Sequence, residues 1–162
     1  MPVTVIEQIA IELQTRLELL TDIDSDYTTK VIEVIRPPQR GVWTPQDLQI
    51  VLTQGSSTVI DNLSYPGNPP AIARRQVFNI RCHLLIDERS DDMLDEQINT
   101  FAADVISVVT SETNWHNFNN LAIDARFIDF EQVDEDGGVA GVNVPIEIIY
   151  RTNENDPYTV RA

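Results

Sequence analysis

The feature that most constrains the fold is a strict alternation of side chains over residues 76–86. Every second position is apolar, and these positions are Phe78, Ile80, Cys82, Leu84 and Ile86. The positions between them are Val77, Asn79, Arg81, His83 and Leu85. Because successive side chains of a strand point to opposite faces, this pattern predicts a β-strand with one apolar face. The chain must therefore supply other elements that cover this face.

Two segments have the helical spacing needed to cover it, residues 4–20 and 91–110. Their apolar side chains recur three or four residues apart and form one stripe on each helix. The stripes are Ile6, Ile9, Ala10, Leu13, Leu17 and Leu20, and Leu94, Ile98, Phe101, Ala102, Val105, Ile106 and Val109. Residues 4–7 fit a capping box, and Ser90 or Asp91 can cap the second helix. We expect both helices to pack on the same face of one sheet.

Four further segments are predicted to be strands, because alternating or β-branched apolar residues dominate them. They are 27–36, 47–53, 121–132 and 140–150. Both faces of 27–36 carry apolar residues, which favours a central position or a second partner surface. Pro37 and Pro38 are expected to end this strand. Pro145 cannot donate a backbone hydrogen bond, so the last strand is expected to lie at an edge or to carry a bulge.

The connection 54–73 is predicted to be a long, irregular extension. It contains strong turn-forming residues between Tyr65 and Pro70 and little apolar area, so we expect it to be mobile in an isolated chain. Residues 134–138 are predicted to form a turn, and residues 151–162 a polar C-terminal tail. Residues 1–150 are thus expected to form one domain.

The elements follow one another as helix, strand, strand, strand, helix, strand, strand. The short connections favour antiparallel pairing of neighbouring strands. The predicted fold class is α+β, a two-layer sandwich in which a mainly antiparallel sheet of about five strands carries two helices on one face.

Acidic residues outnumber basic ones by 26 to 11, which gives a formal net charge of -15. DNA binding needs clustered Lys and Arg to neutralise phosphates, so this balance argues against specific nucleic-acid binding and against an anionic membrane surface. This charge balance is compatible with DNA that slides past the protein without adhering to it. No apolar run approaches the length of about 20 residues that a membrane span needs, and residues 1–5 lack the pattern of a signal peptide. We expect a soluble chain that is synthesised in the cytoplasm.

Residue types that usually act in catalysis or bind metals are few in this sequence, and their spacing does not match the motifs that such sites need. Cys82 is the only cysteine, which excludes an internal disulfide and CxxC motifs. The carboxylates of 22–26 have the spacing of a calcium loop, but Tyr27 stands where that loop needs glycine. His83 follows Cys82 on a strand, so their side chains point to opposite faces and cannot pair. Since GxSxG, HExxH, P-loop and GxGxxG motifs are also missing, we expect no enzymatic activity, cofactor or metal.

An acidic run precedes and begins the second predicted helix. Arg89 is the only base in this run, whose acids are Asp87, Glu88, Asp91, Asp92, Asp95 and Glu96. Such a run usually forms a solvated face. Its functional alternative is a ring of like charges that lines a pore, which requires an oligomer.

The order of elements over nearly the whole chain resembles that of the tail terminator, or tail completion, proteins of long-tailed bacteriophages. The resemblance rests on the first helix ending near Leu20, the strands 27–36 and 47–53, the excursion 54–73, and the strand 76–86 that runs straight into the second helix. It also rests on the ending Tyr150-Arg151-Thr152-Asn153-Glu154-Asn155-Asp156-Pro157-Tyr158. A pattern of Ile-Tyr-Arg-Thr followed by Asp-Pro-Tyr is typical of phage neck and tail components.

The resemblance implies a virion protein that forms a ring, commonly of about six subunits, on the head-proximal end of the tail tube. Such a ring ends tube polymerisation and provides a docking face for the head, while DNA passes through its channel. The implied partners are further copies of the chain, the tail tube protein and a head-completion or neck protein. The extension, the polar tail, an arginine pair and the acidic run then supply the candidate contacts Tyr65, Arg74, Arg75, Asp91, Asp92 and Tyr158.

Two alternatives stay open. Related head-completion and neck proteins share this size and acidity, so the chain could belong elsewhere in the same connector. A different class with the same layout is a monomeric or dimeric module that recognises a small molecule or a basic peptide through its acidic surface. The size of the purified protein separates a ring from such a module.

Overall fold

The computed structural model describes residues 1–36, 46–86, 89–135 and 138–161, which form two α-helices and one seven-stranded sheet. The helices are α1 (Val5–Leu17) and α2 (Asp91–Val109). The strands are β1 (Glu33–Ile35), β2 (Gln49–Val59), β3 (Ala71–Leu85), β4 (Asp124–Phe127), β5 (Glu131–Glu135), β6 (Val139–Asn153) and β7 (Asp156–Val160). The predicted α+β class is confirmed, with more strands than the sequence indicated.

Strands β3 and β6 form the middle of the sheet. Each has 15 residues, and they pair antiparallel along their whole length, from Ala71 opposite Asn153 to Leu85 opposite Val139. The sheet order is β1-β2-β3-β6-β4, and β5 and β7 also pair with β6. Only the pairing of β1 with β2 is parallel among the described strands. Every other strand is therefore placed relative to this central pair.

Both predicted helices form, and each begins at a capping residue. The Thr4 hydroxyl accepts a hydrogen bond from the Glu7 backbone N–H at 3.3 Å, and the Ser90 hydroxyl accepts one from the Met93 N–H at 3.4 Å. The predicted capping box is only half realised. The Glu7 carboxylate turns away from Thr4 and pairs with Arg36 at 2.5 Å, because a charged partner binds it more strongly than a backbone N–H.

The helices cover the face of the sheet that the alternation predicted. Phe78, Ile80, Cys82 and Leu84 of β3 are fully buried, as are Val142, Val144, Ile146 and Ile148 of β6. They join one core with Leu13 and Leu17 of α1 and with Phe101 and Val105 of α2. Burial also raises the pKa of the Cys82 thiol, which makes this side chain an inert part of the core.

The prediction of a long strand at 27–36 is wrong, and of the two settings suggested for it, a central position or a second partner surface, the central position is wrong as well. Only Glu33–Ile35 is a strand, and among the described strands it lies at an edge and pairs with β2 alone. Before it, the backbone bonds to other elements: the Thr29 N–H donates to the Asp104 carboxylate at 2.6 Å, and the Val31 N–H to the Leu20 carbonyl at 3.0 Å. These tertiary bonds replace the expected strand ladder. Pro37 and Pro38 lie outside the described residues.

The predicted strand 121–132 is two strands, β4 and β5, and both pair with β6. The expectation that Pro145 marks an edge or a bulge is also wrong, because β6 is central and pairs with β3 in unbroken register. The Pro145 carbonyl accepts from the Ile128 N–H at 2.9 Å, so its imide nitrogen faces the break between β4 and β5. No strand there requires an N–H donor, which is why a proline is tolerated in a central strand.

Parts of the two segments predicted to be irregular are strands. Within 54–73, β2 runs to Val59 and β3 begins at Ala71, and the two pair with one register shift between Gln54 and Ser57. Within 151–162, β6 continues to Asn153 and turns back as β7. Long partner strands supply backbone hydrogen bonds that a polar sequence alone does not reveal. Of the predicted turn 134–138, residues 134 and 135 belong to β5, and residues 136 and 137 lie outside the described residues.

An ion pair fixes the start of β2 against the segment that leads into α2. The Asp47 carboxylate accepts hydrogen bonds from Arg89 Nη1 at 2.5 Å, from Arg89 Nη2 at 2.8 Å and from the Leu85 N–H at 2.9 Å. Burial opposes the ionisation of Asp47, but these hydrogen bonds and the charge of Arg89 outweigh it and lower the pKa of the carboxyl.

We expect Leu13→Ala and Phe101→Ala each to lower the free energy of unfolding by about 2–5 kcal/mol, because each leaves a cavity between the helices and the sheet. Chemical denaturation of the purified variants measures this. Ile11→Ala on α1 and Met93→Ala on α2 are the matched controls, since these side chains are 48% and 50% exposed. The controls should stay within about 0.5 kcal/mol of the parent, and core variants as stable as the controls would contradict the packing.

We expect Asp47→Asn to lower the free energy of unfolding by about 1.5–3 kcal/mol at neutral pH, because Arg89 loses its anionic partner. A carboxyl whose pKa is lowered by folding stabilises the protein above its unfolded pKa, and this contribution is lost as the pH falls through the folded pKa. The variant should therefore lose less stability than the parent on acidification below about pH 4. Denaturation curves at several pH values test this, with the exposed Asp24→Asn as control. Parallel pH profiles for parent and variant would contradict it.

Candidate functional site

The second face of the sheet carries no helix from the described part of the chain and is mostly polar. We call it the helix-free face. It consists of Gln49, Val51 and Thr53 of β2, Asn79, Arg81 and His83 of β3, and Asn143, Pro145 and Glu147 of β6. These residues alternate with the core residues of the same strands, so their side chains project away from α1 and α2.

Several polar side chains of the helix-free face are buried although none of the described helices covers them. Gln49 and His83 are each 2% exposed, and Asn143 is 5% exposed. Gln49 Nε2 donates to Glu33 Oε1 at 2.6 Å, and Asn143 Nδ2 donates to Asn79 Oδ1 at 3.1 Å. Buried polar groups are costly unless they are hydrogen-bonded, so this face is a packed layer and not a set of freely solvated side chains.

Arg81 stands in the middle of this layer without an acidic partner in the described part of the chain. It lies opposite Asn143 of β6 and Val51 of β2. Its Nε is buried and has no hydrogen-bond partner among the described residues, and the same holds for Asn143 Oδ1. Five other arginines pair with a carboxylate, namely Arg16, Arg36, Arg75, Arg89 and Arg126. The helix-free face therefore holds an unused donor beside an unused acceptor.

The two adjacent arginines that the sequence singled out point to opposite faces. Arg75 Nε pairs with Glu147 at 2.9 Å, and Arg126 contacts the same carboxylate at 3.4 Å, so Arg75 is engaged within the chain. Arg74 is exposed on the other face, beside Tyr150. It lines a small cleft of about 120 Å³. Of the pair, only Arg74 is available to a partner in the described structure.

Tyr65 links the β2–β3 hairpin to the C-terminal strands. The Arg151 guanidinium lies 4.8 Å from the centre of the Tyr65 ring, and that of Arg161 lies 5.6 Å from it. Arg151 Nε also donates to the Leu63 carbonyl at 2.9 Å. The connection predicted to be a free extension is thus held against β6 and β7.

The remaining predicted contacts are exposed and lie at different ends of the molecule. Asp91 and Asp92 begin α2, just after β3 ends, and Tyr158 lies on β7 with 46% of its surface exposed. Residues 87 and 88 of the acidic run lie outside the described residues. The end of β3 near Asp91 and its start near Tyr65 are separated by a strand of 15 residues, on the order of 45 Å. The structure does not gather the predicted contacts into one site.

A cleft of about 370 Å³ lies between residues 28–30, the end of the sheet and α2. Its lining includes Lys30, Leu84, Gln97 and Phe101. Among the described residues, no group of three or more His, Cys, Asp or Glu side chains is placed to hold a metal ion. No helix in the described ranges is both long and apolar enough to cross a membrane.

The sequence predicted that the Arg81 side chain points away from the core, but not that it lies opposite Asn143. Alternation placed it away from the core, yet only the register between β3 and β6 sets it opposite Asn143. Nothing in either segment alone signals this contact, because the two residues are 62 positions apart in the sequence.

In comparisons with models of known protein families and with curated proteins, nothing matches this chain.

We expect Arg151→Ala to loosen the connection 60–70, because it removes both the stacking on Tyr65 and the hydrogen bond to Leu63. Native-state hydrogen exchange of the Ser64, Tyr65 and Ala71 amides should become about tenfold faster, the equivalent of about 1.4 kcal/mol. The control is Arg126→Ala, whose guanidinium is largely exposed. If these amides already exchange freely in the parent, the segment is mobile as the sequence predicted and this anchoring is refuted.

Proposed function

We propose that the chain is a structural subunit of a ring at the head-proximal end of a bacteriophage tail tube. In this role it ends tube polymerisation and provides the docking face for the head or neck. The observation that carries the proposal is the set of exposed apolar side chains beside the two edge strands β1 and β4. Exposed apolar side chains at a sheet edge suit contact with another protein better than contact with solvent.

Both edges of the sheet also favour assembly. Edge β1 is flanked by Ile32, which is largely exposed, and edge β4 by Ile123, Ile128 and Phe130, which are partly exposed. Monomeric proteins usually protect sheet edges with charges, prolines or covering elements. Apolar side chains beside the two edges of the described sheet are typical of chains that pair with neighbours.

The net charge of -15 supports a role around DNA without affinity for it. A ring of about six subunits would carry roughly 90 negative charges, and phosphates would be repelled from its channel. The acids at the start of α2 are exposed and have no cationic partner in the described part of the chain. Acidic walls let DNA pass without adhering.

A second candidate is a small module that binds a ligand. The cleft of about 370 Å³ beside α2 favours it, because its volume lies in the range of small-molecule sites. Such a module would be a monomer or a dimer, whereas the ring requires more copies. Another neck or head-completion component would also form a ring, but it would not stop tube growth.

We expect the purified protein to have a molar mass of about 110 kDa by light scattering, near six times the 18.3 kDa chain, and to show rings in negative stain. Added to polymerising tail tube protein, it should shorten the tubes and lie at one end of them. A gel-shift assay should show no duplex DNA binding at physiological salt. A stable monomer, or sub-micromolar DNA affinity, would overturn the proposal, and rings that leave tube length unchanged would favour another neck component.

We expect Arg74→Glu to weaken assembly and to leave the negligible DNA affinity unchanged, because Arg74 is exposed and without an ion pair in the described structure. Light scattering over a dilution series measures this. Arg126→Glu is the matched control, since Arg126 is exposed and contacts only Glu147 among the described acids. Equal effects of the two variants would show that net charge alone, and not the position of Arg74, governs assembly.

A further inference from the structure

A small cleft of about 120 Å³ lies where the start of α1 meets the start of β3 and the end of β6. Its walls include Thr4 and Ile6 beside α1, Arg74 of β3, and Tyr150 and Thr152 of β6. Arg74 lies directly opposite Tyr150 in the register of the two strands, and Thr152 shares their face two positions further along β6. The cleft is therefore at the margin of the core face, where the cover of α1 begins.

Two side chains of this cleft carry buried hydroxyl groups without a hydrogen-bond partner. Tyr150 is 7% exposed and Thr152 is 5% exposed. Neither hydroxyl is bonded to a described residue, yet neither oxygen is sealed inside the protein, so both can be reached from the cleft. A hydroxyl that is largely removed from water is costly to leave unmatched. The cleft thus offers two donors that the described part of the chain does not use.

Arg74 adds a positive charge to the same cleft. Its side chain is exposed, and it forms no ion pair among the described residues. Burial raises the pKa of the Tyr150 hydroxyl, and the nearby charge of Arg74 offsets only part of this rise. Tyr150 therefore keeps its proton at neutral pH and can donate it to an anion. The positive end of the α1 dipole acts in the same direction.

The acids nearest to the cleft do not occupy it. Glu7, in the first turn of α1, pairs with Arg36. Glu154 is exposed on the rim of the cleft and forms no ion pair with Arg74. One guanidinium beside one rim carboxylate suits a ligand with a single negative charge. A phosphate group, with about 1.5 to 2 negative charges, would be repelled more strongly by Glu154.

We propose that this cleft binds one carboxylate group. The Arg74 guanidinium donates to both carboxylate oxygens, and the Tyr150 and Thr152 hydroxyls donate to lone pairs that remain. The carboxylate belongs to a small carboxylic acid or to an acidic side chain of a neighbouring chain, and the chemistry that recognises it is the same. This site does not rest on the proposed ring, because all of its donors lie in one chain.

Stabilisation by sodium acetate tests the site, because a ligand that binds only the folded chain raises its melting temperature. The chain is kept dilute enough to be monomeric by light scattering, and acetamide at equal ionic strength is the uncharged comparison. At about 100 mM, acetate should raise the Tm at least about 2 °C more than acetamide does. Arg74→Gln and Tyr150→Phe should each lose at least half of this difference, and Glu154→Gln should increase it.

Arg126→Gln is the matched control, since Arg126 is exposed elsewhere on the sheet, and it should keep the full effect of acetate. Tyr150→Phe removes only a hydroxyl, so it tests the site even if Arg74→Gln is poorly folded. Equal shifts in acetate and acetamide, or an acetate shift unchanged by both site variants, would overturn the site. A larger shift with inorganic phosphate that depends on the same residues would overturn its assignment to a carboxylate.

The effect of acetate on assembly distinguishes the two sources of the carboxylate. If a neighbouring chain supplies it, acetate should raise the concentration for half-assembly of the parent by about threefold or more, but not that of Arg74→Gln. If a small acid supplies it, assembly should not respond to acetate. Either result, together with the acetate shift, supports the site. A chain that stays monomeric at all concentrations would overturn the ring, whereas the acetate shift would still decide the site.

Discussion

The structure depends on the full-length pairing of β3 with β6. This ladder joins 15 residues of each strand, and all the other strands add to one of its sides. It fixes the alternation of both strands together, so that Phe78 and Ile146 lie under the helices while Asn79 and Pro145 lie on the other side. A shift of one residue would bury Arg81 in the core, which makes this register strongly specified.

The two faces created by this ladder differ in composition and in contacts. The core face buries apolar side chains under α1 and α2, and a few charged groups connect its margins. Arg16, at 6% exposure, binds Glu12, the Val109 carbonyl and the Trp115 carbonyl, and thus ties the two helices together. Most described arginines are used in this internal way, which leaves the excess acids to face outward. Among the described arginines, Arg81 on the helix-free face and Arg74 on the other face depart from this pattern.

Much of the fold could be predicted because its signals are local. The helical stripes, the cap residues Thr4 and Ser90, and the alternation in 76–86 each depend on a few neighbouring positions. The strand content of 54–59 and 151–160 could not be predicted in this way, because polar residues pair there with long neighbouring strands. The prediction that Pro145 marks an edge or a bulge was wrong for the same reason. A proline is tolerated in a central strand where no adjacent strand needs its missing N–H.

By itself, the sequence determined that two amphipathic helices cover an alternating sheet, and that the chain carries a large excess of acidic residues. These properties follow from periodicity and net charge, which no folding step can change. The tertiary structure decided that β1 runs parallel at an edge, that Arg74 and Arg75 have different roles, and that Arg81 meets Asn143. Such pairings join residues far apart in the chain, and their energy depends on which strands become neighbours, so no local pattern encodes them.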